Sequence, residues 1–176
     1  MKQSCPFYPQ FLFKMFFGKI RRMRREDVYK IIDYIAFECV RLRDKYIEEK
    51  DLEVDYVCIF SQNENEFNEL FKVAQEIGKL ANETPTGPVF AFNDRPETVA
   101  GKPKLLKIRK PDVTRPQRGD MDFNTDYESF KKKYLNNKNF KLIVREDFEM
   151  IELKDDSFNV LVYFANTPLS KQLGII

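Results

Sequence analysis

With 176 residues, 43% of them hydrophobic and 33% charged, the chain has the composition of a globular protein and the length for one domain with a real core. Its formal net charge is +2, but Lys2, Lys14, Lys19, Arg21 and Arg22 meet no acid within residues 1–22. The body is therefore mildly acidic, which argues against a general nucleic-acid binder; the absence of histidine excludes Ser-His-Asp and Cys-His nucleophile systems and removes the commonest metal ligand.

Cys5, Cys39 and Cys58 stand alone, with neither a disulfide framework nor a zinc spacing, so a reducing, cytoplasmic location is expected. Residues 1–22 form a basic-aromatic segment whose apolar run (FLFKMFF, 11–17) is too short to cross a bilayer. Its charge also follows the apolar run, opposite to the order in a secretory signal. It reads as a short helix docked on the domain, or as residues ahead of the natural start with Met23 an alternative initiator. A membrane-surface anchor and an RNA-binding arm are the functional alternatives.

The second unit, 23–50, is dominated by a helix over 26–46. Val28, Ile31, Ile32, Ile35, Cys39 and Leu42 recur at three- and four-residue steps, with acids in the first turn and bases in the last. This helix is expected to cover the main domain or to pair with a second copy of the chain.

The third unit, 51–176, carries one pattern twice. Residues 54–60 (VDYVCIF) predict a buried strand, and Ser61-Gln-Asn-Glu64 fits a capping box opening a helix with Phe67, Leu70, Phe71, Ala74 and Ile77 on one face. A turn at 84–87 precedes strands at 88–92 and 104–109, with a further short strand allowed at 98–101. The second pass predicts a strand at 120–124, a capping box Thr125-Asp-Tyr-Glu128, and a helix carrying Tyr127, Phe130 and Tyr134. Strands follow at 141–145, 148–153 and 158–164. Modules of about 54–110 and 119–165 are thus a repeat of secondary structure rather than of residue identity. The expected build is α+β: two βαβββ modules forming one mixed sheet with helices on its outer face, plus the N-terminal helical part.

Between the modules lies 107–123 (KIRKPDVTRPQRGDMDF), dense in charge and fixed by two prolines and a glycine. Strand alternation decides what it presents. If Val57 and Ile59 face the helices, Tyr56, Cys58 and Phe60 face away; likewise Met121 and Phe123 point to the helices and Asp120 and Asp122 away. One surface then gathers Tyr56, Arg109, Asp120 and Asp122. Arginine offers a fork for a carboxylate or phosphate and tyrosine a directed hydroxyl, while the paired carboxylates suit proton transfer or a hard cation. Lys107 and Arg118 extend the set as anion contacts, with solvated loop charges the alternative for them and for Lys110 and Arg115. A structural ion-pair network of Arg109 with Asp120 and Asp122 is the competing reading. Glu149 and Glu152 are out of phase, so one at most faces a pocket; with Asp120 and Asp122, Glu149 is the candidate third metal ligand. Cys58 reads as core and Tyr163 as strand filling.

Paired βαβββ modules resemble the vicinal-oxygen-chelate, or glyoxalase-like, superfamily. The stretch 83–123 is similar to its small bacterial YecM-like branch, through Asp55-Tyr56-Val57, Gly87-Pro88-Val89-Phe90-Ala91-Phe92, a strand ending before Pro111 and a strand initiated at Gly119. The likeness covers roughly 54–164 and implies a cupped sheet in which first- and last-strand residues coordinate a divalent metal. Where the family pattern has His, Glu and His, this chain has Tyr56, Arg109 and Asp122. Arginine repels a cation, and two lost histidines leave few soft donors. The expectation is a cup that binds a small anionic metabolite with the usual ligands replaced and no cofactor. Two alternatives stand beside it: a metal-dependent lyase, isomerase or dioxygenase with an all-oxygen site, and an interaction protein working through the basic N-terminal segment. Whether the cup catalyses anything is left open.

Overall fold

The computed structural model describes residues 22–175. The readings placed on 1–22 therefore fall outside the described residues, apart from Arg22. Eight strands form one open mixed sheet in the order β2-β3-β4-β1-β5-β8-β7-β6. The first module is β1 (Val54–Phe60), α2 (Glu64–Ile77), β2 (Gly78–Thr84), β3 (Gly87–Phe92) and β4 (Leu105–Arg109), preceded by α1 (Arg25–Tyr46). The second is β5 (Gly119–Phe123), α3 (Tyr127–Tyr134), β6 (Phe140–Val144), β7 (Glu149–Leu153) and β8 (Val160–Ala165), followed by the single turn α4 (Leu169–Gln172). In each module the first strand runs parallel to the last, β1 beside β4 and β5 beside β8. The modules join where β1 pairs antiparallel with β5.

Alternation divides the side chains between two clusters. Val57, Ile59, Leu106, Ile108, Met121, Phe123, Val162 and Phe164 pack toward α1, α2 and α3 in the large core. Tyr56, Cys58, Phe60, Val89, Leu105, Leu161 and Tyr163 form a smaller cluster on the opposite face, the one expected to line the cup. The outer helices are held by the periodic residues the sequence marks. Val28, Ile32, Ile35, Ala36, Cys39 and Leu42 of α1 are fully buried against β1, β5 and β8. In α3 the ring of Phe130 lies 4.2 Å from that of Phe164.

Three local expectations are corrected. The strand β2 follows α2 directly, where no strand was expected, while 98–101 supplies only an isolated bridge between Thr98 and Gly101. As an edge strand reading GKLANET, β2 is mostly exposed and carries few of the apolar residues by which strands are recognised. The cap of α2 is Asn63, whose side chain accepts from the Glu66 N–H, and not Ser61. The cap of α3 is Asp126, one residue after the expected Thr125.

Candidate functional site

The seam between the modules brings charged and aromatic side chains together on the cupped face. One cross-strand row runs Val89, Lys107, Cys58, Asp120, Leu161. The next runs Leu105, Tyr56, Asp122, Tyr163, Glu152, Lys141. Four of the expected site residues, Tyr56, Lys107, Asp120 and Asp122, thus meet on neighbouring strands. Arg109 shares their face opposite Phe60, but its guanidinium lies over the Phe60 ring and pairs with Asp112 at 3.0 Å.

Two expected residues lie elsewhere. Arg118 precedes β5 and turns to α2, donating to Glu66 Oε1 at 2.7 Å and to the Phe60 carbonyl at 2.9 Å. Glu149 shares the phase of Ile151 and Leu153, so it faces the outer helices and binds Lys131 of α3. It is therefore not brought beside Asp120 and Asp122. The ion pair of Arg109 with those two aspartates does not form either; Asp112 takes it instead.

The carboxyls at the seam are strongly desolvated. Asp120 is 5% exposed and Asp122 3%, and Oδ1 of each is buried without a hydrogen-bond partner among the described residues. Burial lifts the Asp120 pKa to about 7, against the pull of Lys107, Arg109 and Arg115. Burial lifts Asp122 well above the carboxylate range, and the charges of Asp120 and Asp55 push it further. Cys58 and Tyr56 are raised by burial and then by these same aspartates, so neither is an activated nucleophile. The Lys107 ammonium has no direct hydrogen-bond or ion-pair partner among the described residues, and its charge acts on Asp120, Asp122 and Cys58 from a distance.

Five participants were not legible beforehand. Arg115 reaches from the linker to Glu152 at 2.7 Å and to the Tyr163 hydroxyl at 3.1 Å, and Tyr163 donates to the same Glu152 oxygen at 2.5 Å. Burial works against the Glu152 carboxylate, but these two hydrogen bonds outweigh it and hold the pKa low. The phase of Glu152 against Ile151 and Leu153 is the signal that places it in the cup. Arg115 sits in a loop with no period to read. Asp55 and Ser170 are hidden for a different reason. The register shifts between Val54 and Tyr56, and Asp55 at that irregularity is fully buried, where its carboxylate accepts from the Ser170 N–H at 3.0 Å and from its hydroxyl.

The cup is covered where β1 lies. Leu169, Leu173 and Ile175 pack on the cup cluster, and α4 touches β1. Two open clefts flank it. One of about 630 Å³ runs between the linker, at Thr114, Pro116 and Gln117, and the β7–β8 turn at Ser157 and Phe158. The other, about 480 Å³, lies at the rim beside Thr86, Arg109 and Asp112.

A divalent ion, which the family resemblance implies, does not fit the residues present. The matching positions carry Tyr56, Arg109 and Asp122, and no group of three or more Cys, Asp or Glu side chains among the described residues is placed to hold a metal. Lys107, opposite Cys58 across the β1–β4 pair, adds a repelling charge. No helix among the described residues is long and apolar enough to cross a membrane.

Paired βαβββ modules joined through their first strands place the protein in the α+β class, with one eight-stranded mixed sheet. No family model matches the chain, and no curated protein sequence does. Among solved structures it is similar to the one described as "Structural Genomics, Protein EC4020", with TM-score 0.68 and 10% identity over 85% of this chain and 91% of that one. That likeness extends to the fold. A glyoxalase/bleomycin resistance protein/dioxygenase superfamily member from Vibrio splendidus 12B01 aligns at TM-score 0.44 and 10% identity, over 65% of this chain and 97% of that one.

Proposed function

We propose that this protein is a vicinal-oxygen-chelate-type module, allied to the YecM-like branch, whose cup binds a small polar metabolite carrying an acidic group, with the family's metal ligands replaced. The observation that carries the reading is Lys107: a cation without a direct partner among the described residues, in a row with Asp120, whose buried Oδ1 has no partner there either. Buried polar atoms without partners are rare in folded proteins, and a ligand donor is one way to satisfy them. An anionic group would pair with Lys107, while hydroxyl or amino groups next to it would meet Oδ1 of Asp120 and Asp122. Burial disfavours the charged form of Asp122, and a protonated carboxyl there would donate as well as accept, which suits a hydroxy or amino acid better than a bare dianion.

A thermal-shift screen of small carboxylates, hydroxy acids, amino acids and phosphates tests this, with calorimetric titration of each hit. Loss of one charge-assisted contact in Lys107→Met should weaken binding about 10- to 100-fold. Equal affinity of the variant and the parent protein would remove Lys107 from the site. A stoichiometric divalent ion in the purified protein would instead favour the all-oxygen metalloenzyme.

A further inference from the structure

The last turn of the chain occupies the face on which the cup would receive a ligand. Leu169 of α4, Leu173 at its C-cap four residues on, and Ile175 lean on the cluster that includes Tyr56, Cys58, Leu161 and Tyr163. All three are only half-buried, and among the described residues they belong to this cluster and not to the main core. The polar hold on the segment is concentrated at one point. Ser170, 2% exposed, gives its N–H and its hydroxyl to the carboxylate of Asp55, which is itself 0% exposed. The turn then ends at Gly174, with φ +66 and open space around it. A buried carboxylate that loses both donors is strongly penalised, so this pair acts as a latch. The remaining attachment, one helical turn with three half-covered apolar side chains, is of the kind that opens locally without global unfolding.

We infer that residues 168–175 form an autoinhibitory lid over the β1 side of the cup, fastened by Ser170 on Asp55, and that a ligand reaching Tyr56 and Asp122 has to displace it. The purpose assigned to the lid rests on the binding function proposed above; its opening does not, and can be measured without a ligand.

Two buried thiols make the measurement internal. Cys58 lies on the cup floor, whereas Cys39 is in α1 on the helix side, with its thiol donating to the Leu161 carbonyl. Global unfolding exposes both, and lid opening exposes Cys58 alone. Iodoacetamide labelling, followed residue by residue by mass spectrometry, is compared in the parent chain, in Ser170→Ala and in a chain ending at Thr167. The Cys58-to-Cys39 rate ratio should rise several-fold in Ser170→Ala and tenfold or more in the truncated chain. An unchanged ratio in Ser170→Ala, where the segment is still present, would overturn the latch. An unchanged ratio in the truncated chain with Cys39 still protected would overturn the lid itself. Should truncation unfold the protein and label both thiols fast, the ratio in Ser170→Ala alone decides between lid and no lid. A ligand screen without hits leaves these rates as they are, so the two readings fail separately.

Discussion

Asp120 is held between burial, which favours its neutral form, and three cations that favour its charge: Lys107 and Arg109 from β4 and Arg115 from the linker. Glu152 from β7 adds a repelling charge, and the balance leaves the group titrating at about 7. In the unfolded chain it would titrate near the ordinary carboxylate value of about 3.9. Because the folded value is the higher one, the folded state binds the extra proton between these limits. Its contribution to stability is full below about pH 4 and is lost as pH rises toward 7. Asp120→Asn, which cannot ionise, should therefore be the more stable protein at pH 8, by an amount on the order of a few kcal/mol. The difference should fade toward pH 4 in urea titrations. A constant offset between the two proteins across that range would mean that Asp120 does not titrate as a buried group. The same residue shows what part of the site was legible. Strand alternation alone put Asp120 and Asp122 on the face of Tyr56, because β1 and β5 are regular at those positions. It does not reach Arg118, which stands just outside β5 and follows α2 instead. Loop residues such as Arg115 have no period, so their aim is decided by tertiary partners.

Long apolar-periodic elements were readable, and a polar edge strand was not. α1, α2 and α3 announce themselves through residues that end up fully or nearly buried, whereas β2 needs only enough apolar surface to close one side of a sheet. Its position is instead fixed by backbone pairing to β3, from Gly78 opposite Phe92 to Thr84 opposite Gly87. Gly87 is where that hairpin meets β4. Its φ is +138, and a Cβ there would stand 2.0 Å from the Ile108 carbonyl oxygen, a backbone atom that cannot turn aside. Gly87→Ala combines backbone strain with a steric clash and should cost roughly 2–4 kcal/mol in urea unfolding. Gly174→Ala has a positive φ with open space around it, and should cost only the backbone strain of roughly 1–2 kcal/mol. Similar losses at the two sites would show that backbone conformation, and not the close approach to β4, dominates at Gly87.

Two modules with a single antiparallel seam could in principle unfold one at a time, and the placement of α1 argues that they do not. α2 covers β2, β3 and β4, while α3 packs its Phe130 on Phe164 of the second module. α1 lies over β1, β5 and β8 at once, closing the gap above the seam. The approach there is tight: a Cβ at Gly119 would come within 2.5 Å of Ile35 Cδ1 and 2.2 Å of the Cys58 carbonyl oxygen. Ile35 is fully buried on a helix that packs on β1 of the first module and on β5 and β8 of the second, so it sits where the two cores meet. Removing its side chain down to the β-carbon should destabilise the protein by about 2–5 kcal/mol, the range for deleting a large aliphatic group from a close-packed core. The loss should appear as a lower urea midpoint with an unchanged slope, because both modules sense the cavity together. Far-ultraviolet dichroism reports all the helices, whereas tyrosine fluorescence is drawn, among the described residues, from α1, the cup and α3 and not from α2, which holds no tyrosine. In Ile35→Ala the two signals should still give one coincident transition. Two separated transitions would mean that the modules unfold one at a time and not as a single cooperative unit.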